Sequence, residues 1–257
     1  MSDELPVLLP ENLSQSKHLN LKDFTFARIG LKRTGISISL NEVLIFKAAH
    51  AKARDAIFTE FNARGIQDQL QKLGLETLEI DSAASDRLTY LQRPDLGRIL
   101  SNNSEEILKE NAFKGKDVVI IIADGLSPLA VNEHAVNLIK MLVPALQKAS
   151  YSIAPIILLN QGRVAASDCI GELLNAKLAL ILIGERPGLS SPDSLGAYLT
   201  YNPKRGLTDE SRNCISNIRP MGLSIPFAAE KIFLLVNNSL TRKISGVNLK
   251  DQTIKKI

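Results

Sequence analysis

Three short aliphatic runs limit what this chain can fold into: DVVIIIA (117–123), IAPIILL (153–159) and LALILIG (178–184). None alternates apolar with polar residues, as expected of strands buried on both faces of a parallel sheet. Between them lie DGLSPLAVNEHAVNLIKMLVPAL and NQGRVAASDCIGELLNA, each reading as a loop followed by an amphipathic helix. Strand, loop and helix repeating at this interval predict an α/β fold with a Rossmann-like, doubly wound parallel sheet. Pro155 sets the start of the second run near a sheet margin, since proline cannot donate to the ladder. Two weaker strands are expected at Ala197 to Tyr201 and Cys214 to Ile218, and a closing helix from Ile225 to Lys243.

The first third reads differently. Residues 1–18 are polar, carry prolines and show no period, and are expected to be a flexible lead-in. Ser39 and Glu42 form a capping-box pattern opening a helix that Gly65 is placed to end. Lys47, His50 and Arg54 lie along one side of it, either as a solvated face or as a docking face. A second helix is expected over Ile66 to Leu73, closed by Gly74, and a third from Ser104 to Asn111. No strand-like run precedes residue 117. The expected parts are therefore the lead-in (1–18), a helical N-terminal region (19–112) and an α/β domain (113–257).

Composition removes several function classes. The chain is mildly basic, with a formal charge of +4 and a pI near 9.0, but its cationic clusters are only doublets: Lys32-Arg33, Lys204-Arg205, Arg242-Lys243 and Lys255-Lys256. Aromatics are 5% with no Trp, too few for base stacking, so a nucleic-acid binder is not expected. Two cysteines, Cys169 and Cys214, cannot make a disulfide framework or a metal site and read as reduced thiols of a cytoplasmic protein. The N-terminus MSDELPVLLPEN carries acids where a signal peptide carries bases, and no apolar run reaches membrane-spanning length.

Open parallel sheets bind ligands where loops leave the carboxyl ends of their strands. Three such loops are expected: Asp124-Gly125-Leu126-Ser127, Asn160-Gln161-Gly162-Arg163-Val164 and Gly184-Glu185-Arg186-Pro187-Gly188. Each contains glycine, which permits close backbone approach to a ligand. No G-x-G-x-x-G follows the first strand, and no phosphate-binding G-x-x-x-x-G-K-[ST], H-E-x-x-H or G-x-S-x-G occurs. His18, His50 and His134 form no convincing triad, and His134 reads as a helix-surface residue. A cleft with loops and glycines but no catalytic set suits a binding subunit. The enzyme alternative is a hydrolase or transferase using Asp124, Ser127 and Glu185. The other is a binding module for a different nucleotide-like cofactor.

From about Phe24 to Lys250 the sequence resembles the light chain of ethanolamine ammonia-lyase. The blocks that carry the resemblance are HAKARDA (50–56), YLQRPDLGR (90–98), ADGLS (123–127), GRV (162–164), IGE (170–172), GERPGL (184–189), RNCISNIR (212–219) and KISGVN (243–248). The resemblance implies the small subunit of an adenosylcobalamin-dependent enzyme that converts ethanolamine to acetaldehyde and ammonia. Its implied partner is a TIM-barrel heavy chain that carries the catalytic residues, in a large hetero-oligomer. Val164, Glu185 and Cys214 are implied cofactor contacts. None of the three histidines lies in a D-x-H-x-x-G motif, so cobalamin is expected to keep its benzimidazole on cobalt. Neither catalytic nor metal-ligating residues are expected in this chain. The lead-in before Phe24 is short beside family members whose extension directs packaging, so a cytoplasmic location is expected and a microcompartment left open.

Overall fold

The computed structural model describes Phe24 and residues 28–110 and 113–250, so the expected lead-in over 1–18 lies outside the described residues. The chain divides into two compact units, the first ending at Ala48 and the second beginning at Ala49. In the first, β1 (Arg33–Thr34) and β2 (Ser37–Ile38) form an antiparallel hairpin, and helix α1 (Leu40–Phe58) begins directly after Ser39.

The second unit is built on a six-stranded sheet of β3 (Thr77–Asp81), β4 (Val118–Ala123), β5 (Ile156–Asn160), β6 (Leu178–Gly184), β7 (Leu195–Tyr201) and β8 (Arg212–Ile218). Their order across the sheet is β3-β5-β4-β6-β7-β8. The first four in that order run parallel; β7 and β8 are antiparallel to their neighbours. The mixed α/β fold expected from the sequence is present, with two differences. The two weaker strands extend the sheet by antiparallel pairing, because a short return from β6 to β7 cannot make the crossover that parallel strands need.

The second difference is a strand where only helices were expected. β3 sits at the sheet edge, and only Ile80 of its five residues is fully buried. An edge strand with charged outward positions, TLEID, lacks the apolar run that marks β4, β5 and β6. The remaining helices are α2 (Ala63–Gln71), α3 (Arg87–Gln92), α4 (Asn102–Glu110), α5 (Pro128–Lys148), α6 (Ala166–Leu173) and α7 (Ile225–Arg242). Gly65 does not end α1. It lies in the first turn of α2, where its amide donates to the capping Asn62 side chain at 3.0 Å, and a Cβ would overlap that side chain.

Alternation along the strands splits the core into two layers. Val118, Ile120, Ile122, Leu158 and Leu180 pack with α2, α5 and α7. Val119, Ile121, Ile157, Ile181 and Ile183 pack with α4 and α6 on the opposite face. His134 belongs to α5 but is only 5% exposed, which corrects the helix-surface reading: it lies under the loop that joins β6 to β7. Among the described residues no helix is long and apolar enough to cross a membrane.

Candidate functional site

The parallel strands end along one edge of the sheet, and the helices following β4 and β5 leave toward opposite faces, opening a crevice between their loops. Asp124, 1% exposed, organises the floor. Its Oδ1 accepts from the Gly125 amide at 2.9 Å and the Gly162 amide at 3.1 Å, while Oδ2 accepts from Arg87 Nη1 at 3.3 Å. Arg87 donates further to the carbonyls of Ile57 (2.8 Å), Gly125 (2.7 Å) and Leu126 (3.1 Å). One guanidinium thus ties the end of α1 to the loop after β4.

Burial pushes the Asp124 carboxyl up to about 6, against the opposing pull of Arg87 and the backbone amides. The same loss of water lowers Arg87, so desolvation outweighs the attraction within the pair. The folded chain therefore holds this proton more tightly than the unfolded one. The linked stabilisation is complete below pH 3.8 and is lost as pH rises through about 6, a span of roughly 3 kcal/mol. Denaturant unfolding between pH 4 and 7 should show this fall in the wild type and a shallower one in Asp124→Asn. Equal slopes would refute it.

Beside this pair, Tyr90 is fully buried and two guanidiniums lie over its ring, Arg87 at 4.9 Å and Arg163 at 4.2 Å from the centroid. Its hydroxyl donates to the Gly162 carbonyl at 3.1 Å. The glycines of these loops serve mutual packing more than ligand approach. Gly125 has φ +60°, and a Cβ on it would overlap the Gly184 carbonyl; a Cβ on Gly184 would overlap the Ser127 carbonyl, and one on Gly162 the Leu159 side chain.

Over this floor opens a cavity of about 440 Å³. Leu126, Val164 and Ile183 give it apolar walls; Tyr90, Arg163, Glu185 and Tyr198 give it polar ones. Glu185 is held without any ion pair among the described residues. Its Oε2 accepts from Ser194 Oγ at 2.6 Å and the Asn217 amide at 3.0 Å, and its Oε1 accepts from Ser216 Oγ at 2.6 Å. Gly196 makes this possible, since a Cβ there would come 2.9 Å from Oε1.

A family model for "Ethanolamine ammonia-lyase light chain (EutC)" matches residues 15–250. The chain is 50% identical over 252 residues to "Ethanolamine ammonia-lyase small subunit" of Pseudomonas fluorescens (strain SBW25), covering 97% of this chain and 90% of that protein. It is 49% identical over 255 residues to the protein of the same name from Azotobacter vinelandii, covering 98% and 92%.

The chain belongs to the ethanolamine ammonia-lyase light-chain family.

The three residues that the family resemblance singled out fall close together, with differing exposure. Val164 and Glu185 line the same cavity. Val164 also packs against the α6-side core, so one side chain both lines the cavity and covers the layer beneath it. Cys214 does not line the cavity; it pairs across β7 and β8 with Tyr198, which does. The residue is exposed, not buried. Partial desolvation of its sulfur raises the thiol, a hydrogen bond from Tyr198 pulls it back, and nearby Glu185 adds to the rise, which leaves no activated nucleophile.

Sequence reasoning missed Arg87, Tyr90 and Tyr198. Tyr90 opens the YLQRPDLGR block and Arg163 lies in GRV, but neither block signals a stack, and nothing in the pattern marks Arg87. The hydrolase alternative fails on geometry. Ser127 is fully buried, donates to the Pro192 carbonyl at 2.7 Å and caps α5 through the Ala130 amide at 3.2 Å. With Asp124 enclosed by amides and Arg87, neither side chain is available to a substrate.

Proposed function

We propose that the chain is the small subunit of an adenosylcobalamin-dependent ethanolamine ammonia-lyase, and that its strand-end cavity forms one side of a cobalamin site closed by a TIM-barrel heavy chain. The observation that carries this reading is the pairing of apolar walls with one fixed, incompletely used acceptor. Glu185 Oε1 accepts a single hydrogen bond and retains capacity for another, which suits a corrin amide arm. The 440 Å³ volume lies at the low end of the roughly 300–1,000 Å³ usual for ligand sites. It is too small for a whole corrinoid and fits one that a second chain covers.

Adenosylcobalamin, when bound, supplies the radical chemistry that releases ammonia and acetaldehyde from ethanolamine. The residues of this chain bind and seclude. Leu126, Val164 and Ile183 exclude water from one side, and Glu185 orients the macrocycle. Tyr198 brings the surface around Cys214 to the cavity rim. Among the described residues, neither His50 nor His134 lines the cavity. No residue of this chain is assigned a catalytic role.

The test is co-purification of the full chain with an ethanolamine ammonia-lyase large subunit, followed by assay of ethanolamine-dependent ammonia release. Activity should vanish when this chain is omitted; undiminished activity would sink the proposal. Within the complex, Glu185→Ala should weaken cobalamin retention by roughly 10-fold, the worth of one hydrogen bond to a charged group, with the fold intact. Unchanged retention would dismiss Glu185.

A further inference from the structure

On the α5 side of the same loops, Glu133, His134 and Asp193 bring one ligand atom each to within 4.8 Å of one another. His134 Nε2 is 3.7 Å from Glu133 Oε2 and 3.7 Å from Asp193 Oδ2. Three ligands about 2.0–2.1 Å from a tetrahedral ion stand roughly 3.4 Å apart, so each carboxylate needs only a few tenths of an ångström toward the imidazole, and the two carboxylates, within 4.8 Å of each other, close the third side by side-chain rotation. Helix spacing alone does not produce this, because adjacent residues on a helix point away from one another.

The imidazole supplies the stronger indication of a ligand. His134 is 5% exposed, and its Nε2 is buried with no hydrogen-bond partner among the described residues. A buried polar atom without a partner costs about 1–3 kcal/mol, which calls for a compensating ligand. Asp193 is held in place on both sides. The Pro192 carbonyl before it accepts from Ser127 Oγ at 2.7 Å, and Ser194 after it donates to Glu185 at 2.6 Å. Arg219 Nη1 engages Asp193 Oδ1 at 3.3 Å, which leaves Oδ2 toward the imidazole. Two carboxylates against this one guanidinium leave net negative charge around the imidazole ring.

We infer that His134, Asp193 and Glu133 form a binding site for a divalent transition-metal ion of the zinc class, which fastens the β6–β7 loop to α5. One imidazole with two carboxylates favours zinc over magnesium, which prefers oxygen ligands alone, and a fourth position is left for water. The site stands apart from the cavity wall and needs no cobalamin.

The test is titration of the full-length, chelator-stripped chain with Zn(II), read by calorimetry, by bound-metal analysis and by thermal unfolding. One equivalent should bind with micromolar or tighter Kd, and it should raise Tm in a way that chelator reverses. His134→Asn and Asp193→Asn should each weaken that equivalent by roughly 100-fold, and the exposed-side Glu133→Gln by about 10-fold with the apo fold unchanged. Absence of binding up to about 1 mM, a weak affinity by the usual scale, overturns the inference. So does a full equivalent retained in all three variants, which would place the metal on the thiols or another histidine.

Discussion

Gly184→Ala should destabilise the folded chain by more than about 3 kcal/mol, the upper end of ordinary overpacking in a core. The added methyl would overlap the carbonyl oxygens of Ser127 and Asp124, and backbone of this kind cannot rotate aside as a flexible side chain would. Relief requires parting the loops after β4 and β6, and the hydrogen bond from the Leu126 amide to the Gly184 carbonyl, 2.9 Å, lies in that seam. Gly125, with φ +60°, approaches the Gly184 backbone equally closely from the other side, so the movement is opposed by backbone there as well. Urea unfolding followed by circular dichroism measures this directly. A loss under 1 kcal/mol would show that the seam relaxes, and the close approach would then not explain why glycine stands there.

Arg87→Ala should cost about 3–5 kcal/mol at pH 7, the range for removing one partner of a buried ion pair. The loss is larger than the pair's own attraction, because an ionised Asp124 and the carbonyls of Ile57, Gly125 and Leu126 all lose their donor together. The penalty should shrink as pH falls from 7 toward 4. Asp124, already pushed up to about 6 in the wild type, takes up its proton more readily still without the guanidinium. Arg87→Lys should rescue little, since an ammonium cannot present a planar fork to four acceptors at once. Unfolding measured at both pH values separates this from a packing defect, whose cost would not vary with pH.

The sheet core was legible because hydrophobicity alone defines it. β4 and β6 are buried along their whole lengths, and uninterrupted aliphatic runs have few other places to go. β3 was illegible for the converse reason: one buried residue in five leaves no pattern to find. The break between α1 and α2 is expected at Gly65 but falls after Phe58, because its position depends on distant fastening. The Asn62 amide donates to Asn132 at 3.0 Å, and Asn132 donates to the Glu60 carbonyl at 2.9 Å.

At the site, strand-end loops foretold where Val164 and Glu185 would converge. They could not foretell the partners of Glu185. Arg186 is its nearest charge in sequence and Arg163 lines the same cavity, yet two serines and a backbone amide hold it, and Arg163 stacks on Tyr90 instead. The family blocks named Cys214 but gave no sign of whether the thiol would be covered. Exposure depends on cross-strand neighbours, and β8 reaches the site only through antiparallel pairing with β7.

The β6–β7 connection is closed at its base twice. The Glu185 amide donates to the Ser194 carbonyl at 2.9 Å, and the Ser194 hydroxyl returns to the Glu185 carboxylate. The tip of the connection, Pro187 to Leu189, can therefore be lengthened or rewritten without transmitting strain to the carboxylate, since doubling a loop's length adds only about 0.6 kcal/mol of closure entropy, while Ser190, Pro192 and Asp193 are fastened to Arg219 and Ser127. The segment separates a base that must stay still from a tip that can change in length and sequence without disturbing it.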